Sequence, residues 1–449
     1  YEYSKDNKTY YSSTTTTYNF TGLNDGAYTL YLRVTDNAGR STTVSTSAVV
    51  AYQNVYVSSS GNDSSGNGSS SKPYASIAKA YTKVKSGGSI ILLSNLTQTS
   101  QANFNTSGKS VTLKSNGSSI YTITRGSGLT TGSIINFYNS STTTVTNIKF
   151  NGNNVSSNKP LLISAGSATL NLNSGVTVQN ALNTAIYSGG GVASVSGSKL
   201  NINGATITSN KSNNQGAGVY VSDASLNFNS GTISNNSFTT SGGSGAGILG
   251  WQATVNIKGG TISGNTATSE GGGIWVGGNS GKMTFNMTAG TITGNKANFG
   301  GGISIRSDTT ATNTIGTITG GTISGNSASY GGGGVNLGKS VVTINNINIT
   351  SNNAQYGAGI SITYGATLYF KGGKVQNNVA SSSAAGIDVG SGTEGGPNHL
   401  YIQGGNVINN RCTASNGIGG INVNTSSGST YTHSSGTVSG NTPIDNGSW

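Results

Sequence analysis

The segment 254–276, TVNIKGGTISGNTATSEGGGIWV, returns with variations along most of the chain, and this repetition constrains the possible folds most strongly. Each copy contains an asparagine with an aliphatic residue three positions before it, followed by a run of small residues. These asparagines lie about 29 residues apart on average, at Asn210, Asn236, Asn265, Asn295, Asn326, Asn352, Asn378, Asn410 and Asn441.

Three apolar rows keep a nearly fixed place in the repeat. The first row precedes the asparagine by three positions, at Ile207, Ile233, Ile262, Ile292, Ile323, Ile349, Val375, Val407 and Val438. The second precedes it by eight, at Ile202, Phe228, Ile257, Met287, Ile318, Ile344, Phe370, Ile402 and His433. The third follows the small residues, at Val219, Ile248, Ile274, Ile303, Val335, Ile360, Ile387 and Ile421. Polar neighbours on both sides of each row predict three short strands per repeat.

Repeats of this length, made of short strands and Gly/Asn turns, indicate a parallel β-solenoid with one repeat per coil. A single coil cannot bury its apolar residues, whereas coils stacked about 4.8 Å apart share one continuous core. Asparagine tolerates left-handed backbone angles at a turn, and its amide can bond to the same amide one coil away. We therefore predict that the nine asparagines form a structural ladder.

The GGGI and SGNTA phrases within 200–441 resemble the repeats of right-handed parallel β-helix surface proteins, including polymorphic outer-membrane proteins and related adhesins. This resemblance implies an all-β, right-handed parallel β-helix of bacterial origin, located outside the cell, at its surface or secreted.

The segment that begins VYVSSSGNDSSGNG resembles the first part of pectate-lyase-like, or pectin-lyase-like, β-helices: a strand, a polar loop, a short helix and the first coil strand. Apolar residues recur at helical spacing after Pro73, at Ile77, Ala80, Tyr81 and Val84. We expect this helix to cover the open apolar end of the solenoid.

The first 52 residues differ from the repeats. The phrase GLNDGAYTLYLRVTDNAG resembles bacterial immunoglobulin-like or fibronectin-like modules, with a turn at Asn24, Asp25 and Gly26 and a strand whose one face carries Tyr28, Leu30, Leu32 and Val34. Such sandwiches have roughly 100 residues, so we expect a partial module. The predicted domains are 1–52, the partial β module, and 53–449, the β-helix, comprising a cap segment at 53–95 and coils at 96–449. We expect the chain to be part of a longer multi-domain protein.

The formal net charge is +12, with only 8% charged residues. Basic and acidic residues balance in 1–52, so the excess lies on the solenoid and predicts attraction to anionic polymers such as acidic glycans, teichoic acids or sulfated mucins. The lysines are scattered, so no nucleic-acid partner is expected. No apolar run is long enough to predict membrane insertion. Cys412 is the only cysteine, and we expect an incidental thiol in a loop.

Outward positions supply the candidate ligand-binding residues. Tyr220 and Trp275 follow the third apolar row, with Leu249 between them and Trp251 on the next outward site. Flat rings there could stack on sugars, or could be structural, as a surface ladder or as packing against loops. Tyr369 and Tyr401 lie outward beside Lys371, an arrangement that could hold an acidic sugar. A further aromatic row is attributed to stacking at a corner, at Phe299, Tyr330 and Tyr356.

Catalytic patterns are weak. Glycosidases need paired carboxylates, and the acidic residues Asp223, Glu270, Asp308 and Asp388 do not share one column of the repeat. The nearest constellation is best interpreted as loop charges, at Asp388, Glu394, His399 and Arg411. His433 falls on an inward row and is expected to be a core histidine. No catalytic residue, metal ligand or cofactor is predicted.

Two functions from different classes remain. The first is a non-catalytic extracellular adhesin or rigid stalk that binds glycans or anionic surface polymers. The second is a polysaccharide lyase or glycoside hydrolase acting on acidic polysaccharide, and the fold alone cannot choose between them. A third, an ice-binding face of regular threonines, is disfavoured because outward threonines do not recur over many coils in the sequence.

Overall fold

The computed structural model describes residues 1–21, 23, 26–50, 52–186, 188–279, 283–307, 314–390 and 396–448. It confirms the predicted fold class, an all-β, right-handed parallel β-solenoid of about 13 coils. None of the helices in these ranges is long and apolar enough to cross a membrane. The division at residue 52 stays a prediction.

A small antiparallel sheet, sheet A, precedes the solenoid. Its four strands are Glu2–Ser4, Tyr11–Ser12, Gly26–Thr35 and Ser41–Val50. The predicted strand with Tyr28, Leu30, Leu32 and Val34 lies in Gly26–Thr35. Of the predicted turn residues, Gly26 is the first residue of this strand, while Asn24 and Asp25 lie outside the described residues. The immunoglobulin-like identity of this module stays a prediction.

The predicted cap helix is present as Ile77–Lys83. The Ser76 hydroxyl accepts a hydrogen bond from the Lys79 backbone N–H at 3.1 Å, which satisfies one of the free N–H groups of the first turn. The helix buries Ile77, Ala80 and Tyr81. It packs on the first solenoid strands, namely Tyr52–Val57, Val84–Leu92 and Ala102–Phe104.

The largest face of the solenoid is sheet B, with 23 strands. In most coils it bends at a glycine with positive φ, such as Gly260 or Gly373, so that one coil contributes two strands or one long bent strand. The strands are Tyr52–Val57, Val84–Leu92, Leu96–Gln98, Ser110–Ser115, Tyr121–Arg125, Thr142–Thr146, Ile148–Asn151, Thr169–Asn173, Thr177–Gln179, Lys199–Thr208, Ser225–Ser234, Thr254–Ile257, Thr261–Ser263, Met283–Met287, Thr291–Thr293, Thr314–Ile318, Thr322–Ser324, Val341–Ile344, Ile347–Thr350, Thr367–Phe370, Gly373–Gln376, His399–Ile408 and Thr430–Ser439.

Sheet C supplies the second face, with 13 parallel strands. They are Ala102–Phe104, Ile135–Phe137, Leu162–Ser164, Val192–Val195, Val219–Ser222, Ile248–Trp251, Ile274–Gly278, Ile303–Ser307, Val335–Gly338, Ile360–Thr363, Ile387–Val389, Ile421–Val423 and Asn446–Ser448. A short 3-10 helix, Thr425–Ser427, follows the twelfth strand.

The third face, sheet D, consists of two strips of short parallel strands. The first strip contains Ser156–Ser157, Leu182–Asn183, Lys211–Ser212 and Ser237–Phe238. The second contains Lys296–Phe299, Ser327–Gly331, Asn353–Tyr356, Val379–Ser383 and Arg411–Cys412. Single bridges from Ser237 to Thr266 and from Thr266 to Lys296 connect the strips.

The three predicted apolar rows form the core. Apart from Val438 and His433, every member is at most 1% exposed. His433 pairs in register with Ile402 but is exposed. It belongs to Thr430–Ser439, which pairs with no later strand among the described residues, so no coil covers this side chain. The prediction of a core histidine is therefore wrong.

The asparagine ladder forms as predicted. In Asn295, Nδ2 donates to Oδ1 of Asn326 at 3.0 Å and to the Ile262 carbonyl at 3.0 Å, while the backbone N–H donates to the same Oδ1. This pattern repeats from Asn210 to Asn410. At Asn441 the acceptor becomes the Asp445 carboxylate.

One detail of the predicted turn is wrong, because the left-handed residue is the one before each ladder asparagine. These residues are Ser209, Asn235, Gly264, Gly294, Gly325, Ser351, Asn377, Asn409 and Gly440. Asn180 also occupies this preceding position, with φ of 57°. Ala181 stands at the ladder position instead, and its N–H donates to Oδ1 of Asn210 at 3.1 Å.

The predicted incidental cysteine lies in a strand rather than in a loop. Cys412 is 5% exposed in Arg411–Cys412 and pairs in register with Ala380. It belongs to a small apolar cluster with alanines at the same place in earlier coils, so its sulfur acts as a core group.

Candidate ligand-binding surfaces

The outward column on sheet C exists, but its aromatic rings are not freely exposed. Tyr220, Leu249 and Trp275 are neighbours in register on successive strands. Tyr220 is 8% exposed and Trp275 is 6% exposed. The glycine-rich corner before each strand passes over this column, since a Cβ built at Gly271 would lie 2.7 Å from Cβ of Trp275. The rings of these two residues are therefore covered, which favours the structural alternative of packing against loops, and burial raises the pKa of the Tyr220 hydroxyl.

Trp251 is the more accessible member of this group. Its ring stacks on that of Trp275, with centroids 5.8 Å apart and planes 17° apart. Gly277 leaves room for this stack, because a Cβ there would lie 2.8 Å from the Trp275 ring. The sequence placed both tryptophans on one surface, and the structure brings them into contact.

A buried polar network next to the tryptophans was not predicted. Glu270 accepts hydrogen bonds from Nε1 of Trp275 at 3.2 Å and from the Ser304 hydroxyl at 2.9 Å, and it forms an ion pair with Arg306. The Arg306 guanidinium lies 4.6 Å from the Tyr364 ring centroid. These partners come from successive coils separated by loops of different lengths, and no short motif marks them.

The second predicted aromatic pair is assembled on sheet B. Tyr369 and Tyr401 are partners in register, with parallel rings 4.9 Å apart and planes 11° apart. Each ring is half-buried and has a threonine as its other neighbour in register, Thr343 beside Tyr369 and Thr432 beside Tyr401. Lys371 is exposed two residues after Tyr369. All three predicted residues therefore lie on one outer surface.

A groove of about 740 Å³ runs along the bend of sheet B beside this pair. We call it the glycine groove, because glycines from successive coils form much of its lining. Its residues are Gly320, Gly321, Asn346, Ile347, Asn348, Gly372, Gly373, Lys374, Gln376, Gly405 and Asn406. The groove was not predicted, since it forms only when the glycine bends of several coils are stacked.

Sheet B contains no acidic residue in any of its 23 strands. The lysines and arginines in these strands are Lys85, Lys114, Arg125, Lys149, Lys199 and Lys374. Within the described parts of the chain, the ammonium groups of Lys371 and Lys374 form no ion pair. The outer surface of sheet B is therefore neutral to basic.

Six consecutive coils carry threonine in one outward column of sheet B. Thr177, Thr206, Thr232, Thr261, Thr291 and Thr322 pair in register. The premise that outward threonines do not recur is wrong, because five of these threonines stand four positions before a ladder asparagine and Thr177 stands four before Ala181. The ice-binding alternative stays an untested prediction.

The predicted charged constellation is not assembled. Asp388 lies in sheet C, His399 in sheet B and Arg411 in sheet D, while Glu394 lies outside the described residues, as does Asp308. The loop interpretation is wrong for Asp388, which is 7% exposed and accepts a hydrogen bond from Asn422 at 2.9 Å. Burial raises the pKa of its carboxyl to about 6.

The two buried carboxyl groups next to sheet C are far apart. Asp388 is four strands after Trp275, the hydrogen-bond partner of Glu270. Four strand spacings are roughly 19 Å, whereas a glycosidase pair is about 5 to 10 Å apart. In the part of the chain that the structure describes, no three His, Cys, Asp or Glu side chains are grouped as metal ligands.

These features define the chain as a right-handed parallel β-solenoid with an internal asparagine ladder and an acid-free outer sheet. No family model, no curated protein and no solved structure matches it.

Proposed function

We propose that this solenoid is a non-catalytic extracellular rod, an adhesin or stalk, that binds anionic glycans on the outer surface of sheet B. The observation that carries the proposal is the combination of an acid-free sheet with the stacked Tyr369 and Tyr401 beside Lys371, whose ammonium forms no ion pair with any described residue. Aromatic rings offer apolar area to sugar C–H groups, and the cation attracts a carboxylate or sulfate.

The positions of the acidic residues support this proposal, because most of those described already have structural partners. Asp63 accepts hydrogen bonds from the Ala75 and Ser76 N–H groups next to the cap helix. Glu270 is paired with Arg306, and Asp445 ends the asparagine ladder. An approaching polyanion therefore meets little repulsion on sheet B, and its long-range attraction follows from the net charge of +12.

The stacked coils also suit a spacer. Thirteen strands in sheet C extend over roughly 60 Å at the usual strand spacing. Ladder hydrogen bonds link nine successive coils without a break, so bending at one coil would disturb buried amides.

The test is binding of the full chain to immobilised polygalacturonate and to neutral dextran, with absorbance near 235 nm followed in parallel. We expect saturable binding to polygalacturonate that weakens with added salt, weaker binding to dextran, and no rise in absorbance. Tyr401→Ala should reduce binding several-fold. Release of unsaturated or shortened oligosaccharides would instead favour the alternative, a polysaccharide lyase or glycoside hydrolase. Absence of binding to either polymer would contradict the proposal.

A further inference from the structure

We infer that the glycine groove is the site that selects the ligand, and that it takes the acidic groups of a linear polysaccharide lying along the solenoid axis. This inference rests on the proposed function and adds where the ligand binds, which lysines attract it, and that the ligand is a linear acidic polysaccharide. The groove contains residues from four consecutive coils, so it is roughly 14 Å long, or three strand spacings.

A single coil provides most of the required groups. In the segment 369–376, YFKGGKVQ, the residues that line the groove are Gly372, Gly373, Lys374 and Gln376. Lys371 directly precedes these glycines at the edge of the groove and adds a second cation, and Tyr369 adds a ring on the strand before it. Lys371 directly follows the first strand and Lys374 lies within the second, and both are exposed, whereas their neighbours Phe370 and Val375 are buried in the core. The two ammonium groups therefore flank the bend on either side.

The walls continue into neighbouring coils. Thr322, Asn348, Lys374 and Asn406 are partners in register on successive strands. The amide of Gln376 lies 3.4 Å from Oδ1 of Asn348. Neutral amides above and below one lysine can donate to and accept from sugar hydroxyls. A uronate or sulfated sugar combines such hydroxyls with the anion that the lysines attract.

The two glycines of this coil have different roles. Gly373 has φ of +99°, and a Cβ there would lie 2.3 Å from the Ile347 carbonyl oxygen, so the backbone itself requires glycine. Gly372 lacks a positive φ, and its Cβ would approach the Asn345 side-chain oxygen at 2.9 Å. Since that oxygen can move with its side chain, Gly372→Ala narrows the groove without straining the backbone.

Charge complementarity identifies the ligand as anionic. No aspartate or glutamate occurs in the strands that form the groove, and both lysines form no ion pair with described residues. The chain also offers a matched control, because Lys258 follows Ile257 just as Lys371 follows Phe370, and is equally exposed. The glycines after Lys371 line the groove, whereas Gly259 and Gly260 after Lys258 do not, and the Lys258 strand carries Asn256 where the groove strand carries Tyr369.

The experiment compares four full-length proteins: wild type, the double variant Lys371→Gln/Lys374→Gln, Gly372→Ala and Lys258→Gln. The ligands are polygalacturonate, dextran sulfate, neutral dextran and polyglutamate, and each variant is first shown to have the wild-type circular dichroism spectrum. We expect the double variant to lose about tenfold in affinity for both acidic glycans, because charge-assisted contacts are lost. Gly372→Ala should weaken the binding of both acidic glycans several-fold, and Lys258→Gln should bind them with the wild-type affinity.

The other outcomes are decisive as well. If wild type binds acidic glycans but the double variant and Lys258→Gln behave alike, the groove assignment is overturned and the proposed function survives. If wild type binds polyglutamate as tightly as the acidic glycans, general charge attraction explains the binding and the groove assignment is overturned. If wild type binds no glycan, both proposals fail. Preference for polygalacturonate or dextran sulfate identifies carboxylate or sulfate as the anion.

Discussion

Gly273 packs against the side-chain amide of Asn295 in the next coil, where a Cβ at Gly273 would lie 3.1 Å from Nδ2 of Asn295. Eight further glycines stand in the same relation to the other ladder asparagines: Gly191, Gly218, Gly247, Gly302, Gly334, Gly359, Gly386 and Gly420. The glycine run and the asparagine, which are separate phrases in the sequence, are therefore two sides of one contact.

We expect Gly273→Ala to destabilise the solenoid by about 1 to 3 kcal/mol, the usual range for overpacking. The added methyl group would meet the Gly302 carbonyl oxygen at 2.6 Å, and both neighbours are held by hydrogen bonds. Urea unfolding followed by circular dichroism measures the change. Gly128→Ala is the control, because its Cβ has no neighbour within 4 Å. Equal midpoints for the two variants would contradict the packing role.

We expect Asn295→Ala to destabilise the protein by about 3 to 5 kcal/mol, because several buried groups lose a partner. The N–H and Nδ2 of Asn265 lose their acceptor, and the Ile262 carbonyl loses its donor. Denaturant unfolding measures this loss. On the outer surface of sheet B, Nδ2 of the half-buried Asn286 donates to Oδ1 of Asn256 at 2.9 Å, and Asn286→Ala, which removes this amide, should cost less than about 1 kcal/mol. A ladder variant as stable as Asn286→Ala would disprove the energetic role of the inner ladder.

The free energy of unfolding should depend on pH because of the buried carboxyl group of Asp388. Its pKa in the folded protein, about 6, lies above the ordinary value of 3.8, and burial is the main cause. The folded state thus binds the proton more tightly than the unfolded state does. The stabilisation that this proton provides is fully present below pH 3.8 and is lost as the pH rises through about 6.

Asp388→Asn should remove this dependence, since an amide can still accept the hydrogen bond from Asn422. We expect the free energy of unfolding to rise by up to about 3 kcal/mol at pH 8 and to change little at pH 4, as measured by urea unfolding at both pH values. Asp223→Asn, at an exposed turn, is the control for loss of a carboxylate. An equal gain at both pH values would rule out this explanation.

The end of the ladder should respond locally to loss of Asp445. Its Oδ1 accepts from both the N–H and Nδ2 of Asn441, so Asp445→Ala leaves two donors without that acceptor. We expect a local cost of about 1 to 2 kcal/mol and faster hydrogen exchange in 430–448. Exchange in the coil around Asn295 is the internal reference. Uniformly faster exchange along the whole solenoid would contradict a local cap.

The fold was predictable because each coil repeats the same requirements. Row positions such as Ile262 and ladder positions such as Asn295 recur in every unit, so their burial follows from one alignment of the repeats. The Tyr369 and Tyr401 pair was predictable for the same reason, since both residues hold one position in adjacent repeats.

The remaining features depend on register and loop length, which the repeat alone does not give. Glu270 and Arg306 meet across a coil boundary, and the glycine groove requires four stacked bends. Arg125 lies fully buried because three backbone carbonyls, those of Gly132, Lys159 and Pro160, converge on its guanidinium. Burial lowers the pKa of Arg125 to about 10. No local pattern in the sequence predicts these long-range contacts.

Every bond between two amides of the asparagine ladder runs from the earlier coil to the later one, so the column has the same direction in each coil. A duplicated coil inserted between Asn295 and Asn326 would offer a donor to one neighbour and an acceptor to the other. The molecule can therefore lengthen by duplication of whole coils, which leaves the hydrogen bonds of the first and last ladder amides unchanged.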